Sequence, residues 1–243
     1  MMESRAIVVG ATSGIGREVA LLLAENGYRV GVIGRREENL KELTSLYQGQ
    51  IVGQAADVTD VDAARSAIES LISELGGLEL IIISSGYGEI NKELDFEIEH
   101  NSINVNVVGF TFIADYAYRY FSSQDKGHIV GITSVMGLRG SCAAPAYSAT
   151  KAYQINYLES LHQRARTQGK DVIITDIRPG SVNTAMMKGE GHFWISSPQR
   201  AALQIYRAIK RKKSVAYVTR RWSLIGILLR ILPRCIFVRM GKI

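Results

Sequence analysis

The sequence has few of the features that would place it outside the ordinary globular proteins of a reducing compartment. It contains two cysteines, Cys142 and Cys235, which lie far apart and show neither Cys-x-x-Cys nor another metal-ligand spacing. This usage favours a reduced, cytoplasmic setting and predicts no metal site. No signal peptide is visible, because the first apolar run, residues 6–9, is too short and a glycine loop follows it.

Long hydrophobic runs are also missing. The most apolar segment, residues 222–238, has an uncharged stretch of only eight residues, 222–229. A membrane-spanning helix needs about 20 apolar residues, so the sequence predicts no such helix. Prolines number only four, and no repeat, low-complexity tract or linker divides the chain. A length of 243 residues then suits one large α/β domain better than two small ones.

Acidic residues are absent from the last fifth of the chain. Residues 191–243 carry 12 Lys and Arg and no Asp or Glu, whereas residues 1–190 carry 17 basic and 23 acidic residues. Such asymmetry indicates a negatively charged partner or an electrostatic role at a subunit contact. Peripheral membrane contact through residues 220–240 and packing on a subunit or over a substrate pocket both remain open. Nucleic-acid binding is not expected, because no nucleic-acid motif accompanies the charge.

What the sequence does contain is a regular alternation of short β-rich runs and longer helical patterns. Several of the runs are continuously apolar, as in parallel strands that are buried on both faces. The alternation predicts a single doubly wound α/β domain, with a parallel seven-stranded sheet flanked by helices on both faces. The predicted strands are 5–9, 29–33, 51–55, 80–84, 127–133, 172–177 and 215–218. The predicted helices are 15–26, 37–47, 61–75, 96–120, 146–167 and 197–211.

A glycine-rich loop follows the first predicted strand and opens the first predicted helix. Glycines at this point allow a tight turn and let phosphate oxygens approach the N–H groups of a helix N-terminus. An ordinary β–α turn is the alternative, and the position between strand and helix favours nucleotide binding over it. The predicted contacts are Gly10, Thr12, Ser13, Gly14, Ile15 and Gly16.

Arg35 and Arg36, at the end of the second predicted strand, indicate which dinucleotide binds. An acidic residue at this place would hydrogen-bond the ribose 2′-hydroxyl of NAD, but no Asp or Glu occurs before Glu37. Two guanidinium groups suit the 2′-phosphate of NADP, and Arg17 could join them. After the third strand, Asp57 and Val58 are placed to meet the adenine ring, with a helix N-cap as the alternative role for Asp57.

Tyr147 and Lys151 lie near the start of a predicted helix with a spacing of four, which places both side chains on one helix face. A free tyrosine has a pKa of about 10, too high for acid–base work at neutral pH. A nearby ammonium group and an oxidised nicotinamide ring would each favour the phenolate and lower that pKa. The pair alone is a common surface pattern, so its meaning depends on the rest of the chain.

Three further features decide that meaning. Ser134 ends the fifth predicted strand, Asn106 interrupts a helix in which its propensity is poor, and Pro179-Gly180 follows the sixth strand with Thr184 four residues later. In this order and spacing, over roughly residues 5–220, the sequence resembles the classical short-chain dehydrogenase/reductase family. The resemblance implies a Rossmann-type fold and hydride transfer between a nicotinamide cofactor and a carbonyl or alcohol carbon.

The resemblance also implies a role for each residue of the predicted site. Ser134 would orient the substrate oxygen, and Tyr147 would donate or accept the proton. Lys151 would hold the nicotinamide ribose and lower the tyrosine pKa, while Asn106 would help to hold a water that links Lys151 to solvent. Pro179, Gly180, Val182 and Thr184 would line the nicotinamide and pyrophosphate, and Ser85 and Gly86 stand where the family usually has the end of an Asn-Asn-Ala-Gly motif.

Substrate residues are less well defined by the sequence. Residues 185–196, which include His192, are predicted to form a lid over the substrate, and their Met and aromatic content suggests an apolar or bulky ligand. An alternative is that they fold onto the core. The predicted substrate contacts are Tyr87, Met136, Met187 and Trp194.

Together these features predict a cytoplasmic NADP(H)-dependent oxidoreductase that reduces a small-molecule ketone or aldehyde to an alcohol. Residues 1–220 would form the NADP-binding catalytic domain, and residues 221–243 a basic, apolar extension of it. Two alternatives are the same chemistry on a membrane-embedded lipid or lipid-linked substrate and a non-catalytic NADP-binding sensor. The resemblance further implies a homodimer or homotetramer that is formed through the helices near residues 96–120 and 146–167.

Overall fold

A seven-stranded parallel sheet forms the centre of the structure, a computed structural model that describes residues 4–187 and 193–240. The strands lie in the order β3-β2-β1-β4-β5-β6-β7, so the direction of winding reverses between β1 and β4. Their bounds are β1 Ser4–Val9, β2 Tyr28–Gly34, β3 Ile51–Ala55, β4 Leu80–Ile83, β5 Lys126–Ile132, β6 Asp171–Pro179 and β7 Val215–Val218. The predicted doubly wound, Rossmann-type sheet is confirmed.

Helices connect the strands and cover both faces of the sheet. Their bounds are α1 Gly14–Glu25, α2 Glu37–Leu46, α3 Val61–Leu75, α4 Phe96–Ile103, α5 Phe110–Ser123, α6 Pro145–Thr167, α7 Pro198–Lys210, α8 Trp222–Ile231 and α9 Arg234–Met240. A π-helical turn, Asn104–Gly109, joins α4 to α5, and a short 3₁₀ turn, Val135–Leu138, follows β5.

Alternate residues of each strand contribute to two separate apolar layers. In β1, Ala6 and Val8 are buried in a layer formed with α1, α2 and α7, whereas Ile7 and Val9 are buried in one formed with α3, α5 and α6. Burial on both faces explains why the strands are continuously apolar in sequence. Each fully buried Ile or Val contributes about 1.5–3 kcal/mol, so the two layers hold the sheet, and with it the strand ends, in fixed positions.

The single helix predicted over residues 96–120 is wrong in its middle, where the π-helical turn separates α4 from α5. Asn106 lies in this turn and uses its side chain to bond neighbouring elements instead of pointing along a regular helix. Gly109 allows a close approach, because a Cβ atom there would lie 2.6 Å from the Val58 carbonyl oxygen. Widened turns of this kind are common at functional sites, and this one faces the carboxyl end of the sheet.

The basic C-terminal extension folds as α8 and α9 and packs beside the 3₁₀ turn. Trp222 and Gly226 of α8 are buried. Arg139, just after the 3₁₀ turn, donates from Nε to the Leu229 carbonyl at 2.6 Å and also bonds the Leu232 carbonyl, at the end of α8. These contacts satisfy carbonyl groups that a helix C-terminus leaves open. Nowhere in residues 4–187 or 193–240 is a helix both long and apolar enough to cross a membrane.

One buried histidine makes the stability of this fold depend on pH. His128, in β5, is only 8% exposed, and its Nε2 lies 2.7 Å from the Thr175 hydroxyl of β6. Burial, with the nearby Lys212 charge, lowers the pKa of His128 to about 4 from an ordinary 6.5. Between these two values the unfolded chain binds a proton that the folded chain does not, so stability rises with pH.

We therefore expect the free energy of unfolding to rise by up to about 3 kcal/mol between pH 4 and 6.5 because of this one side chain. A His128→Gln variant, which keeps a polar group beside Thr175 but has no proton to gain, should show a flatter rise. Urea unfolding of both proteins across this pH range measures the difference. Equal slopes in the two proteins would contradict the assignment.

Candidate active site

The predicted site residues converge at the carboxyl ends of the central strands. Loops or turns leave β1 at Gly10, β4 near Gly86, β5 at Ser134 and β6 at Gly180, and these four strands are consecutive in the sheet. A doubly wound sheet binds its ligands at this edge, near the point where the winding reverses. The topology thus brings together segments that are up to 170 residues apart in sequence.

The glycine loop after β1, residues 10–16, leaves a space that side chains at its glycines would fill. We call this space the glycine cradle. Gly10 has φ +85°, and a Cβ atom there would overlap the backbone of Ser85. Gly14 has φ +58°, and its Cβ position lies 3.1 Å from the Thr184 methyl group. α1 begins at Gly14, and no side chain of the described residues caps it. Its first N–H groups are therefore available to an anion, which suits a pyrophosphate.

Both predicted 2′-phosphate arginines lie at the edge of this cradle. Arg36 donates from Nη2 to the Thr12 hydroxyl at 2.8 Å and to the Ser13 hydroxyl at 2.6 Å. Arg35 donates to the Asp57 carboxylate at 3.4 Å. Arg17 does not join them, because its guanidinium pairs with Glu42 of α2 at 2.7 Å. The positive charge beside the glycine loop thus comes from Arg35 and Arg36.

Asp57 and Val58 follow β3, beside the same cradle. Asp57 accepts hydrogen bonds from the backbone N–H and the hydroxyl of Thr59, at 2.9 and 2.8 Å. These bonds and the nearby Arg35 lower the pKa of its carboxyl group, although partial burial acts against them. The alternative N-cap role for Asp57 is wrong, because Asp60 caps α3 by accepting from two of its first N–H groups. Asp57 is left facing the loop after β2.

Ser85 and Gly86 connect the cradle to the predicted catalytic residues. The Ser85 hydroxyl is buried and has no hydrogen-bond partner among the described residues. Such a group carries a cost unless a ligand satisfies it. A Cβ atom at Gly86 would lie 3.5 Å from Asn106 Oδ1 and 3.6 Å from Lys151 Nζ. A dinucleotide along these loops would fit both the orphaned hydroxyl and the glycine cradle.

Tyr147, Lys151 and Ser134 form one cluster on the opposite side of Gly86. The Lys151 ammonium lies 5.8 Å from the centre of the Tyr147 ring, on the first turns of α6. The Ser134 hydroxyl is close enough to Tyr147 to act on its pKa, which it lowers. The Ser134 Oγ also accepts from the backbone N–H of Met136 at 3.1 Å, which fixes its rotamer. The expected constellation of a serine, a tyrosine and a lysine is present.

Burial is the largest influence on the pKa values of Tyr147 and Lys151. It raises the pKa of Tyr147, and the influence of the Ser134 hydroxyl only partly opposes this. It lowers the pKa of Lys151 to about 7, against the attraction of Asp176. The net shift of the tyrosine pKa is therefore upward in the chain alone, against the downward shift expected from the ammonium. The ammonium is engaged elsewhere, with the Ile132 carbonyl at 3.0 Å and Gln154 Oε1 at 2.9 Å.

Asn106 is fully buried and acts as a connector within the site. Its Oδ1 accepts from the Tyr87 N–H at 2.9 Å, and its Nδ2 donates to the Tyr87 carbonyl at 2.7 Å and to the Thr150 hydroxyl at 3.0 Å. This side chain thus ties the loop after β4 to α6, the helix that carries Tyr147 and Lys151. Its polar atoms are already bonded to protein groups, so it supports the cluster through structure.

Comparison with known proteins agrees with this geometry. The sequence profile of the short chain dehydrogenase family matches residues 4–193. The chain belongs to the short-chain dehydrogenase family. An uncharacterized oxidoreductase of Myxococcus xanthus is 36% identical to it over 193 residues, which cover 76% of this chain and 75% of the relative.

Solved structures show the same architecture. An actinorhodin polyketide ketoreductase variant with NADPH is 27% identical, with a TM-score of 0.70 over 76% of this chain and 72% of that one. A short chain dehydrogenase/reductase from Burkholderia phymatum in complex with NAD is 18% identical, with a TM-score of 0.82 over 93% and 92%. These matches support an oxidoreductase with a nicotinamide cofactor, and they include proteins with either dinucleotide.

Gln154 is a site residue that the sequence analysis missed. It is fully buried, accepts from Lys151 Nζ at 2.9 Å and donates from Nε2 to the Asn106 carbonyl at 2.9 Å. The amide therefore links the lysine directly to the π-helical turn. A signal was present, because Gln154 lies three residues after Lys151 and seven after Tyr147, on the same helix face.

Glu99 is a second missed residue, and it bonds the start of α6. Its carboxylate accepts from the Ala146 N–H at 2.7 Å and from the Asn91 side chain at 2.6 Å. The residue before α6, Ala144, has no side chain that could cap the helix. A carboxylate at a helix N-terminus satisfies an open N–H group and interacts well with the helix dipole. No local sequence signal marks a contact across 47 residues.

The segment that follows β6 contains the remaining predicted cofactor residues and forms one wall of the site. Val182 pairs with Ser196 in an isolated parallel bridge, which holds the end of the predicted lid. A Cβ atom at Gly180 would overlap the Trp222 ring of α8. Trp222 also stacks on Phe193, with ring centres 4.9 Å apart. α8 thus forms part of the wall next to Pro179 and Gly180.

The predicted substrate residues lie around this space with different partners. The Tyr87 hydroxyl donates to Glu89 at 2.7 Å, and Met136 is 38% exposed at the start of the 3₁₀ turn. The Met187 N–H bonds the Thr184 carbonyl at 2.9 Å, and Trp194 packs edge-on against Trp222. Residues 188–192 of the predicted lid, His192 among them, lie outside the described residues.

The role of Gln154 can be tested through the pKa of Lys151. A Gln154→Leu variant removes an acceptor of the ammonium, so we expect the pKa of Lys151 to fall below its value of about 7 by about one pH unit. A Gln154→Glu variant places a carboxylate there and should raise that pKa. NMR titration of isotope-labelled lysine, assigned with Lys151→Met, measures both values.

The matched control is Gln163→Leu, an exposed glutamine on the same helix. It should leave the pKa of Lys151 unchanged. Identical titration of Lys151 in all four proteins would show that Gln154 does not hold the ammonium.

Proposed function

We propose that the protein is an NADP(H)-dependent oxidoreductase that reduces a ketone or aldehyde to an alcohol, with Tyr147 as the general acid. The observation that carries the proposal is the cluster of Ser134, Tyr147 and Lys151 next to the glycine cradle, with the lysine ammonium 5.8 Å from the centre of the tyrosine ring. The family membership of the chain supports the same reaction class.

The cofactor would lie along the cradle, and when bound its nicotinamide ring supplies or accepts the hydride. The phosphates would lie on the glycine loop, the 2′-phosphate near Arg35 and Arg36, and the adenine near Asp57 and Val58. Lys151 has three N–H donors, of which Ile132 and Gln154 use two. The third remains for a ribose hydroxyl. The other proposed cofactor residues are Thr12, Ser13, Ile15, Ser85, Gly86, Pro179, Gly180, Val182 and Thr184.

The proton is handled by the chain's own groups. Ser134 orients the substrate oxygen with its hydroxyl, and Tyr147 donates its phenolic proton to that oxygen as the carbonyl carbon is reduced. A phenolate then remains, and the charged form of Lys151 stabilises it. The phenolate regains its proton from solvent before the next turnover. In oxidation the same steps run in reverse, with the phenolate as base.

A non-catalytic sensor of NADP explains the site less well. Such a protein needs the cradle but gains nothing from a lysine that is 3% exposed, because burying an ammonium costs stability. A pKa of about 7 lets Lys151 change its charge near neutral pH. Perturbed values of this kind are typical of acid–base sites. The arrangement therefore favours turnover over binding alone.

The resemblance also leads us to expect a homodimer or homotetramer. Ile103 and Val108 are 41% and 45% exposed on the outer side of α4 and the π-helical turn. Ala149 and Ala152 are exposed on α6. Small and apolar residues on these helices suit a close contact between copies.

Replacing Tyr147 tests the chemistry. We expect Tyr147→Phe to lower the rate of NADPH oxidation by at least about a hundredfold, since the general acid is lost, while NADPH still binds. The rate is measured with whichever of a series of carbonyl compounds, from sugars to long-chain ketones, the wild type reduces. Tyr153→Phe is the matched control, because its hydroxyl bonds Thr111 away from the cluster, at 2.7 Å. Full activity of Tyr147→Phe would refute the mechanism.

Replacing Arg36 tests the cofactor preference. We expect Arg36→Leu to weaken NADPH binding by about ten- to a hundredfold, because a charge-assisted contact to the 2′-phosphate is lost, and to leave NADH binding nearly unchanged. Calorimetric titration of both dinucleotides measures this. Arg17→Leu removes the same charge nearby and serves as the control. A similar loss in both variants, or for both dinucleotides, would argue against recognition of the 2′-phosphate by Arg36.

A further inference from the structure

Helix α8 is apolar on two opposite sides, and only one of them is covered. Its inner side contributes Trp222 and Gly226, which are buried. Its outer side carries four apolar residues at spacings of three, four and seven, which places them in one stripe. These residues and their exposed fractions are Leu224 68%, Ile227 56%, Leu228 52% and Ile231 71%. A helix that is apolar on all sides is normally buried, so we expect another molecule to cover these four exposed residues.

Helix α9 extends the exposed apolar surface. Ile236 and Val238 are 49% and 65% exposed on it. The turn between α8 and α9 is held to the body of the protein, since Arg139 bonds the Leu229 and Leu232 carbonyls and lies 5.4 Å from the centre of the Phe237 ring. The apolar surface is therefore a fixed face of the folded protein. We call these six residues of α8 and α9 the outer stripe.

Five exposed arginines flank the outer stripe, and no Asp or Glu lies in this part of the chain. They are Arg220, Arg221, Arg230, Arg234 and Arg239. Within the described residues, none of the five forms an ion pair within 4 Å. Residues 191–243 contain no Asp or Glu at all. The surface thus combines exposed aliphatic side chains with arginines that form no close ion pair among the described residues.

We propose that α8 and α9 form a docking surface for a membrane that contains anionic phospholipids. The outer stripe would enter the boundary between headgroups and acyl chains, and the arginines would contact the headgroup phosphates. The charge pattern favours this occupant over a second copy of the chain, because two such faces would bring cations together with no carboxylate between them. The described helices cannot cross a bilayer, so the contact is interfacial.

The position of the docking surface deepens the proposed function, on which this one step rests. The inner side of α8 places Trp222 against Gly180 and against Phe193 at the end of the predicted lid. One helix thus separates the outer stripe from the wall of the catalytic cleft. Docking would hold the cleft near the lipid surface, where an apolar carbonyl compound dissolved in the bilayer reaches it without crossing water.

Vesicle binding tests the docking surface without any need for turnover. The full-length protein is sedimented with phosphatidylcholine vesicles, with or without phosphatidylglycerol. We expect binding to the anionic vesicles that added salt weakens, and little binding to the neutral ones. An Ile227→Glu/Ile231→Glu variant should reduce binding by about tenfold or more. A wild type that sediments with neither kind of vesicle would overturn the proposal.

Two further variants make the result specific. Leu46→Glu changes a residue of similar exposure, 54%, at the end of α2 and should bind vesicles like the wild type. Arg230→Gln/Arg234→Gln keeps the apolar residues and removes two cations. It should therefore lose binding to anionic vesicles and leave the weak binding to neutral vesicles unchanged. Circular dichroism and NADPH binding confirm that each variant folds.

Light scattering on the same proteins detects self-association. If the glutamate variant dissociates an oligomer and binds vesicles as well as the wild type does, the surface joins copies of the chain and the proposal is wrong. If the protein binds vesicles but reduces no carbonyl compound, the docking proposal is supported and the proposed reductase function is refuted. The two proposals can therefore fail separately.

Discussion

The arrangement of this site depends on keeping one ammonium group inside the protein. Lys151 is 3% exposed, and a buried charge is tolerated only when hydrogen bonds replace the water it has lost. The Ile132 carbonyl at the end of β5 and the Gln154 amide on α6 supply those bonds. Gln154 in turn needs the Asn106 carbonyl, which the π-helical turn presents. Strand, helix and turn are thus fixed relative to one another around a single side chain.

The same constraint sets the chemistry. Burial brings the pKa of Lys151 down to about 7 and raises that of Tyr147, so two groups of similar acidity in water move apart and the lysine becomes the stronger acid. At 5.8 Å between ammonium and ring centre, the charge of one affects the other. In the proposed reaction, proton transfer from the phenol would be assisted most when the amine is charged, because a cation at this distance favours the phenolate. Acidity in this site is a property of the pair.

Local pattern predicted most of the fold, and long-range contact explains the rest. β3, β7 and α3 have the predicted bounds, because short β-rich runs and a helix that Asp60 caps leave signals in a short window. The catalytic spacing of Tyr147 and Lys151 was equally local. The bond from Glu99 to Ala146 joins residues 47 apart, and the pairing of Arg17 with Glu42 depends on how α1 and α2 pack. Neither contact has a periodicity that a sequence could display.

The C-terminal extension shows why the family match does not bound the functional unit. The match ends at residue 193, yet the space that a side chain at Gly180 would need is filled by Trp222 from beyond it. Gly180 therefore has to lack a side chain because of a residue outside the matched region. Trp222 and the four α8 residues of the outer stripe lie on opposite sides of one ten-residue helix, so this helix contributes to both surfaces. The extension is therefore best understood as part of the wall of the candidate active site. Its inner side packs against Gly180, and its outer side is exposed.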